Sequence, residues 1–191
     1  EKGAKRAADG ASWFMTTITN QQAVVSAKWM TTALGVYEIY INGSPVGEEF
    51  LKPGFTHREK TRHSYTYDIT DAFSLTSGST NTLSAQVTPG WWADYIITPP
   101  NYDGMWGKKC AFRGVLELTF ADGSTKFYGT DLESWKAGIA GPVKHAAIFD
   151  GEEYDARCPM GFDTPELLST PEENLEFSGN IIPAAAEIYL R

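Results

Sequence analysis

The chain has 191 residues, of which 42% are hydrophobic and 21% charged, with a formal net charge of −8 and an isoelectric point near 4.9. That length can bury one ordinary core, and the composition is that of a globular protein rather than a disordered one. The acidity, with no stripe of Lys or Arg, excludes a phosphate-neutralising nucleic-acid surface, and no run approaches the roughly 20 apolar residues of a membrane-spanning helix.

Helical periodicity is nearly absent, and short alternating runs are punctuated by Gly, Pro, Asn and Asp. Trp13 to Ile18 and Ala23 to Thr32 are the first two predicted strands. In Tyr37 to Ile41, Tyr37, Ile39 and Ile41 are expected to face inward, and Asn42-Gly43 supplies the positive-φ pair of a tight hairpin. Lys52-Pro53-Gly54 opens a polar loop, and Ser64 to Ile69 is a strand. Asp71-Ala72-Phe73 is a short helical turn, and Thr82 to Val87 a further strand. Gly114 to Phe120 alternates most cleanly and turns through Ala121-Asp122-Gly123-Ser124 into Thr125 to Tyr128. Trp135, Ala147 to Phe149 and Tyr154 to Ala156 read as later short strands, and Ile181 to Leu190 as a last one returning near Trp13 to Ile18. This spacing predicts an all-β fold, a jelly-roll or galactose-binding-domain-like antiparallel β-sandwich.

Residues 1–161 are expected to form the sandwich. Residues 162–180, acidic and carrying Pro165 and Pro171, read as a surface excursion or linker, and 181–191 as a terminal strand rejoining the sandwich or leading into a further domain. The abrupt start at Glu1 and the strand-like end at Arg191 suggest an excised or processed segment, so the lack of a leader-like run is uninformative. Cys110 and Cys158 are too few for a disulfide framework. One bridge and two buried free thiols both stay open.

Several motifs follow one another in a fixed order. They are Tyr40-Ile41-Asn42-Gly43-Ser44-Pro45-Val46-Gly47, Leu51-Lys52-Pro53-Gly54-Phe55-Thr56, Tyr65-Thr66-Tyr67-Asp68-Ile69-Thr70-Asp71, and Gly90-Trp91-Trp92. Ser134-Trp135-Lys136, Gly141-Pro142 and the closing Asp150-Gly151-Glu152-Glu153-Tyr154-Asp155-Ala156-Arg157 complete the series. Over about residues 24–157 this succession resembles the N-terminal domain of bacterial α-L-rhamnosidases, in glycoside hydrolase family 78. The resemblance implies a non-catalytic β-domain whose partners are a rhamnose-containing glycan or glycoside and an (α/α)6 catalytic domain on the same polypeptide. The catalytic acids would lie on that other domain, so no residue here is assigned a catalytic role. Localisation stays open, with a periplasmic or extracellular setting favoured over a cytoplasmic one. A free-standing lectin-like carbohydrate-binding module, or the sugar-binding sandwich domain of a β-galactosidase-type enzyme, are the alternatives.

The segment Gly90 to Gly107 is richest in candidate chemistry. Trp91, Trp92, Asp94, Tyr95, Asn101, Asp103 and Trp106 form the expected carbohydrate-contact set. Pyranose C–H faces pack on aromatic rings while Asp and Asn accept hydrogen bonds from hydroxyls. The same loop would equally serve to cap the sandwich or dock on a neighbouring domain. No cofactor is expected. Calcium is the one ion the resemblance raises, but Pro89 stands where the family often has an Asp or Asn, and calcium wants six to eight oxygens. The acids Asp150, Glu152, Glu153 and Asp155 read as structural, with Asp155 pairing to Arg157 and Tyr154 in the core. His57, His63 and His145 lack zinc-ligand spacing.

Overall fold

The computed structural model describes residues 10–57, 59–94, 106–173 and 177–184. Its twelve strands are β1 (Ser12–Thr19), β2 (Val24–Leu34), β3 (Val36–Ile41), β4 (Ser44–Val46), β5 (Thr61–Asp68) and β6 (Thr80–Thr88), followed by β7 (Ala111–Phe120), β8 (Thr125–Gly129), β9 (Lys136–Ile139), β10 (Val143–Ala147), β11 (Gly151–Tyr154) and β12 (Asn180–Pro183). Two five-stranded sheets, ordered β4-β3-β6-β1-β9 and β12-β5-β2-β7-β8, form the sandwich, and β10-β11 is a separate hairpin. This is the all-β sandwich expected from the strand spacing.

Period-2 alternation sets which side chains meet between the sheets. In β3 the buried residues are Tyr37, Ile39 and Ile41, and in β7 they are Phe112, Gly114, Leu116, Leu118 and Phe120. Phe112 sits at the centre, edge-on to Trp29 and Tyr37 at 5.9 and 6.1 Å and tilted against Trp135 at 5.6 Å. Tyr37 carries a hydroxyl into the core, and it hydrogen-bonds there to Thr31. Burial holds its phenol far above the usual tyrosine range.

The turns follow their residues. Asn42 and Gly43 have φ of 50° and 81° and close a two-residue hairpin, with Ile41 opposite Ser44. Both central positions of this turn require positive φ, which Asn and Gly tolerate best. In the β7–β8 turn, Asp122 Oδ1 accepts from the Ser124 backbone N–H and hydroxyl.

Three later elements differ from the sequence expectation. Trp135 precedes β9 and is buried in the core, and Phe149 lies in the β10–β11 turn, 62% exposed. The strand near 181 lies parallel to β5, pairing Asn180 with Thr61, and not beside Trp13 to Ile18. The flank of β1 away from β6 is already occupied by β9 along Ser12–Met15.

The outer face of the first sheet is also covered. Trp13 stacks on Tyr40 at 5.6 Å and meets the edge of Phe162 at 5.6 Å, with Leu168 in the same cluster. A side chain at Gly161 would stand 2.2 Å from the Trp13 ring, and one at Gly141 would stand 2.7 Å from its Nε1. The Gly141-Pro142 motif is thus a close-approach site beneath a tryptophan.

Candidate functional site

The candidate site grows out of the end of β6. Pro89 follows Thr88 with helical φ and ψ and opens a single turn, α1 (Gly90–Ala93), in which its carbonyl accepts the N–H groups of Trp92 and Ala93. Gly90 has φ of +42°, and a Cβ there would stand 2.3 Å from Val36 Cγ2, so no larger residue fits. One helical turn separates the next two side chains widely. Trp92 points into the protein and Trp91 toward its surface.

Trp92 is 2% exposed and packs with Leu34 and Ala93. The Arg62 guanidinium lies 4.7 Å from its ring centroid, Phe177 meets it edge-on at 6.5 Å, and Gly107 lies so close that any side chain there would strike it. Its carbonyl accepts the Trp106 N–H at 3.2 Å, and the Trp106 side chain packs on the same cluster. Arg62 is itself buried, which lowers its pKa, and its Nη1 donates to Thr56 Oγ1 at 2.7 Å. This half of the loop is a packed base. Its aromatic faces are occupied by protein.

Asp94 is also buried, and its Oδ2 accepts the Ile148 N–H at 2.8 Å. That bond ties α1 to the turn after β10. Tyr95, Asn101 and Asp103 lie outside the described residues.

Trp91 remains as the partly exposed ring. Its Nε1 donates to the Leu51 carbonyl at 3.2 Å, and its ring meets Phe55 edge-on at 5.8 Å. Phe55 is 62% exposed, and Phe50 and Leu51 beside it are exposed as well. The segment carrying them is anchored from below by Lys52. Although fully buried, its ammonium lies 3.2 Å from Glu38 Oε2 and within 5.6 Å of the Tyr37 and Tyr67 ring centroids. Tyr67 in turn donates to Glu49 Oε2 at 2.9 Å. Burial raises the Glu38 carboxyl, an effect that outweighs the opposing pull of Lys52.

Phe55 and the Lys52 anchor are the parts of this site that the sequence reading did not assign. The available signal was the Leu51–Thr56 run itself, whose lysine sits between exposed apolar residues.

No group of three or more His, Cys, Asp or Glu among the described residues is placed to hold a metal ion. Pro89 has no side-chain oxygen, and one Asp94 oxygen is already engaged by Ile148. The acidic run near 150 is structural where it is engaged. Asp155 pairs with Arg157 at 2.8 Å through both carboxylate oxygens, which lowers its pKa to about 2. Tyr154 is 55% exposed rather than part of the core, because every residue of β11 is exposed and the strand pairs with β10 outside both five-stranded sheets. Cys110 and Cys158 are both free, and burial pushes the Cys110 thiol up to about 12.

Comparison with known proteins places this architecture. The family model for the α-L-rhamnosidase N-terminal domain matches residues 22–176. An α-L-rhamnosidase of Alteromonas sp. (strain LOR) is 33% identical over 156 residues, covering 81% of this chain and 16% of that protein. One from Streptomyces avermitilis is 38% identical over 136 residues, covering 70% and 12%. Among solved structures, the S. avermitilis α-L-rhamnosidase complexed with L-rhamnose superposes with a TM-score of 0.78 at 29% identity, over 92% of this chain and 17% of that one. The native enzyme from Aspergillus terreus also gives 0.78, at 28% identity over 94% and 21%. The chain therefore spans about one-fifth of the length of such relatives or less, and over that span it belongs to the family of α-L-rhamnosidase N-terminal domains.

Proposed function

We propose that this chain is the non-catalytic accessory sandwich of an α-L-rhamnosidase, and that it contacts rhamnose-containing glycans through the surface around Trp91. The parent polypeptide would hydrolyse terminal α-L-rhamnosyl groups on a separate helical catalytic domain, in a periplasmic or extracellular setting. The observation that carries the glycan contact is the pairing of Trp91 with Phe55. Two aromatic rings meet edge-on, at an interplanar angle of 71°, at the surface, above a base whose other ring, Trp92, is packed. An exposed ring beside polar loop residues suits the amphipathic faces of a pyranose. Asn101 and Asp103 belong to this reading as the hydroxyl acceptors.

The test is calorimetric titration of the chain with L-rhamnose, in calcium and in EDTA. Heat that is lost on Trp91→Ala and kept on Lys28→Ala, a change at an exposed position of β2 outside the aromatic surface, supports the reading. No heat from the unaltered chain in either buffer rejects it and leaves the aromatic surface as a docking face for the catalytic domain. Dependence on calcium would assign the ion to oxygens beyond Asp94.

A further inference from the structure

A second concave surface lies at the opposite end of the sandwich. It is a cleft of about 440 Å³ between β1 and β8, floored by Trp29, Leu116 and Trp135. Strand register separates it from the Trp91 surface. The cleft meets β1 at Thr16–Thr19, paired with the start of β6, whereas α1 follows the end of β6 at Thr88.

The strand pairing explains why a cleft exists here. β9 covers β1 only from Ser12 to Met15, so Thr16–Thr19 has no strand on that flank among the described residues. Opposite, β8 is the outermost strand of its sheet and pairs only with β7. Each wall therefore presents a strand edge, and a strand edge carries backbone N–H and C=O groups with no ladder partner. The segment between β8 and β9 forms the lip. Asp131 accepts hydrogen bonds from the Glu133 N–H and from the Ser134 N–H and hydroxyl, and Thr16 Oγ1 donates to the Ser134 carbonyl at 2.9 Å. Those bonds hold the lip open against the wall.

The lining is mixed in a way that favours one ligand class. Its volume falls within the roughly 300–1,000 Å³ typical of small-molecule sites. Aromatic rings stand beside hydroxyl and amide groups. Tyr128 is half-buried with the Lys126 ammonium 4.8 Å from its ring centroid, and Thr17 and Gln21 are exposed at the other wall. The half-buried Tyr128 ring and the exposed Phe127 ring, beside convergent donors and acceptors, match a pyranose better than a purely apolar guest, which would leave the edge amides unsatisfied.

We propose that the β1–β8 cleft is a second saccharide-binding site, taking one or two pyranose units. It rests on the reading of the chain as a glycan-contacting domain, and the test reads the two sites separately. The ¹H–¹⁵N spectrum of the chain is recorded during titration with L-rhamnose, D-galactose, D-glucose and D-xylose in turn. At least one sugar should shift the amides of Thr16–Gln21 and Lys126–Trp135 in a saturable way. Tyr128→Ala should weaken that response at least tenfold and leave any shifts near Trp91 intact, because it removes the half-buried ring that lines the cleft. Trp91→Ala should do the converse. The same spectra show whether each variant is folded. Shifts confined to the Trp91 surface would overturn this proposal while sparing the first. Shifts near Trp91 that are absent while the cleft responds would do the opposite. Cleft shifts that grow with protein concentration and no sugar would overturn it too, by assigning the free edges to a second copy of the chain.

Discussion

Lys52 offers the sharpest test of how the Trp91 surface is held. It is fully buried, bonded to Glu38 at 3.2 Å and flanked by Tyr37 and Tyr67. Replacing it with Met keeps most of the volume and removes the charge. A hydrogen bond to a charged group contributes about 1.5–3 kcal/mol, and each cation–π contact about 0.5–1. The Glu38 side chain is 43% exposed, so water can take over part of its solvation, and the low end of the sum applies. Lys52→Met is expected to cost about 2–3 kcal/mol near pH 8, lowering Tm by roughly 5–10 °C for a domain of this size. The pH dependence separates charge from packing. Glu38 has a raised pKa in the folded state, so the fold loses stability as pH rises through that value, and without Lys52 the pKa rises further. The penalty should therefore be smaller near pH 5 than near pH 8, read from urea unfolding at each pH. An equal penalty at both would refute the electrostatic account and reduce Lys52 to a space-filling stem.

Four other outcomes follow from the same geometry. Trp92→Ala should destabilise the chain by about 3–5 kcal/mol in urea unfolding, because it empties a buried site beneath Arg62 and Phe177. Trp91→Ala should cost less than about 1.5 kcal/mol, since it gives up one hydrogen bond and one exposed ring contact. With a thiol reagent at about pH 8, one cysteine should react in the folded chain and the second only on unfolding. The slow one should be Cys110, whose thiol is held near 12. An NMR titration of the Asp155 carboxyl should show a midpoint near 2 that rises toward the ordinary range in Arg157→Gln. Its pKa is depressed, so its contribution is present above the ordinary carboxylate range and fades as pH falls through about 2. The group is solvent-exposed, so unfolding curves should barely register the change.

Much of the sandwich was legible because strands declare themselves locally. Tyr37, Ile39 and Ile41 alternate with half-buried neighbours, and Asn42-Gly43 can take positive φ at both turn positions, so hairpin and inward face follow from seven residues. What local pattern cannot supply is which strand finds which neighbour. Ile181 and Ile182 read as a strand, but their partner is decided by which sheet flank is vacant. β9 holds the flank of β1, and the flank of β5 is open. The same limit misplaced Tyr154. Its segment alternates well enough to be a strand, yet β11 pairs only with β10 in a hairpin outside both sheets. Gly141 and Gly161 resist reading for a related reason, since the Trp13 ring that requires them is more than a hundred residues away in sequence.

The adjacent pair Trp91-Trp92 shows where composition misleads about function. Two neighbouring tryptophans on a loop suggest a double platform, and a strand would send them to opposite faces as surely as the helical turn does here. Either way one ring must face inward, and the environment decides what it does there. Behind Trp92 lies a buried Arg62 with only desolvation acting on its pKa, which makes the ring's flat face the natural neighbour for a guanidinium. The inward tryptophan thus stabilises a buried cation, while the outward one is steadied by the Leu51 carbonyl on a segment that Lys52 pins in place. An exposed ring is useful for recognition only if it is held still before the ligand arrives, since ordering it afterwards would cost affinity. The rigidity of the Trp91 surface is therefore supplied by residues no sugar would touch, and a binding loss on altering Lys52 or Arg62 would reflect lost preorganisation rather than a lost contact.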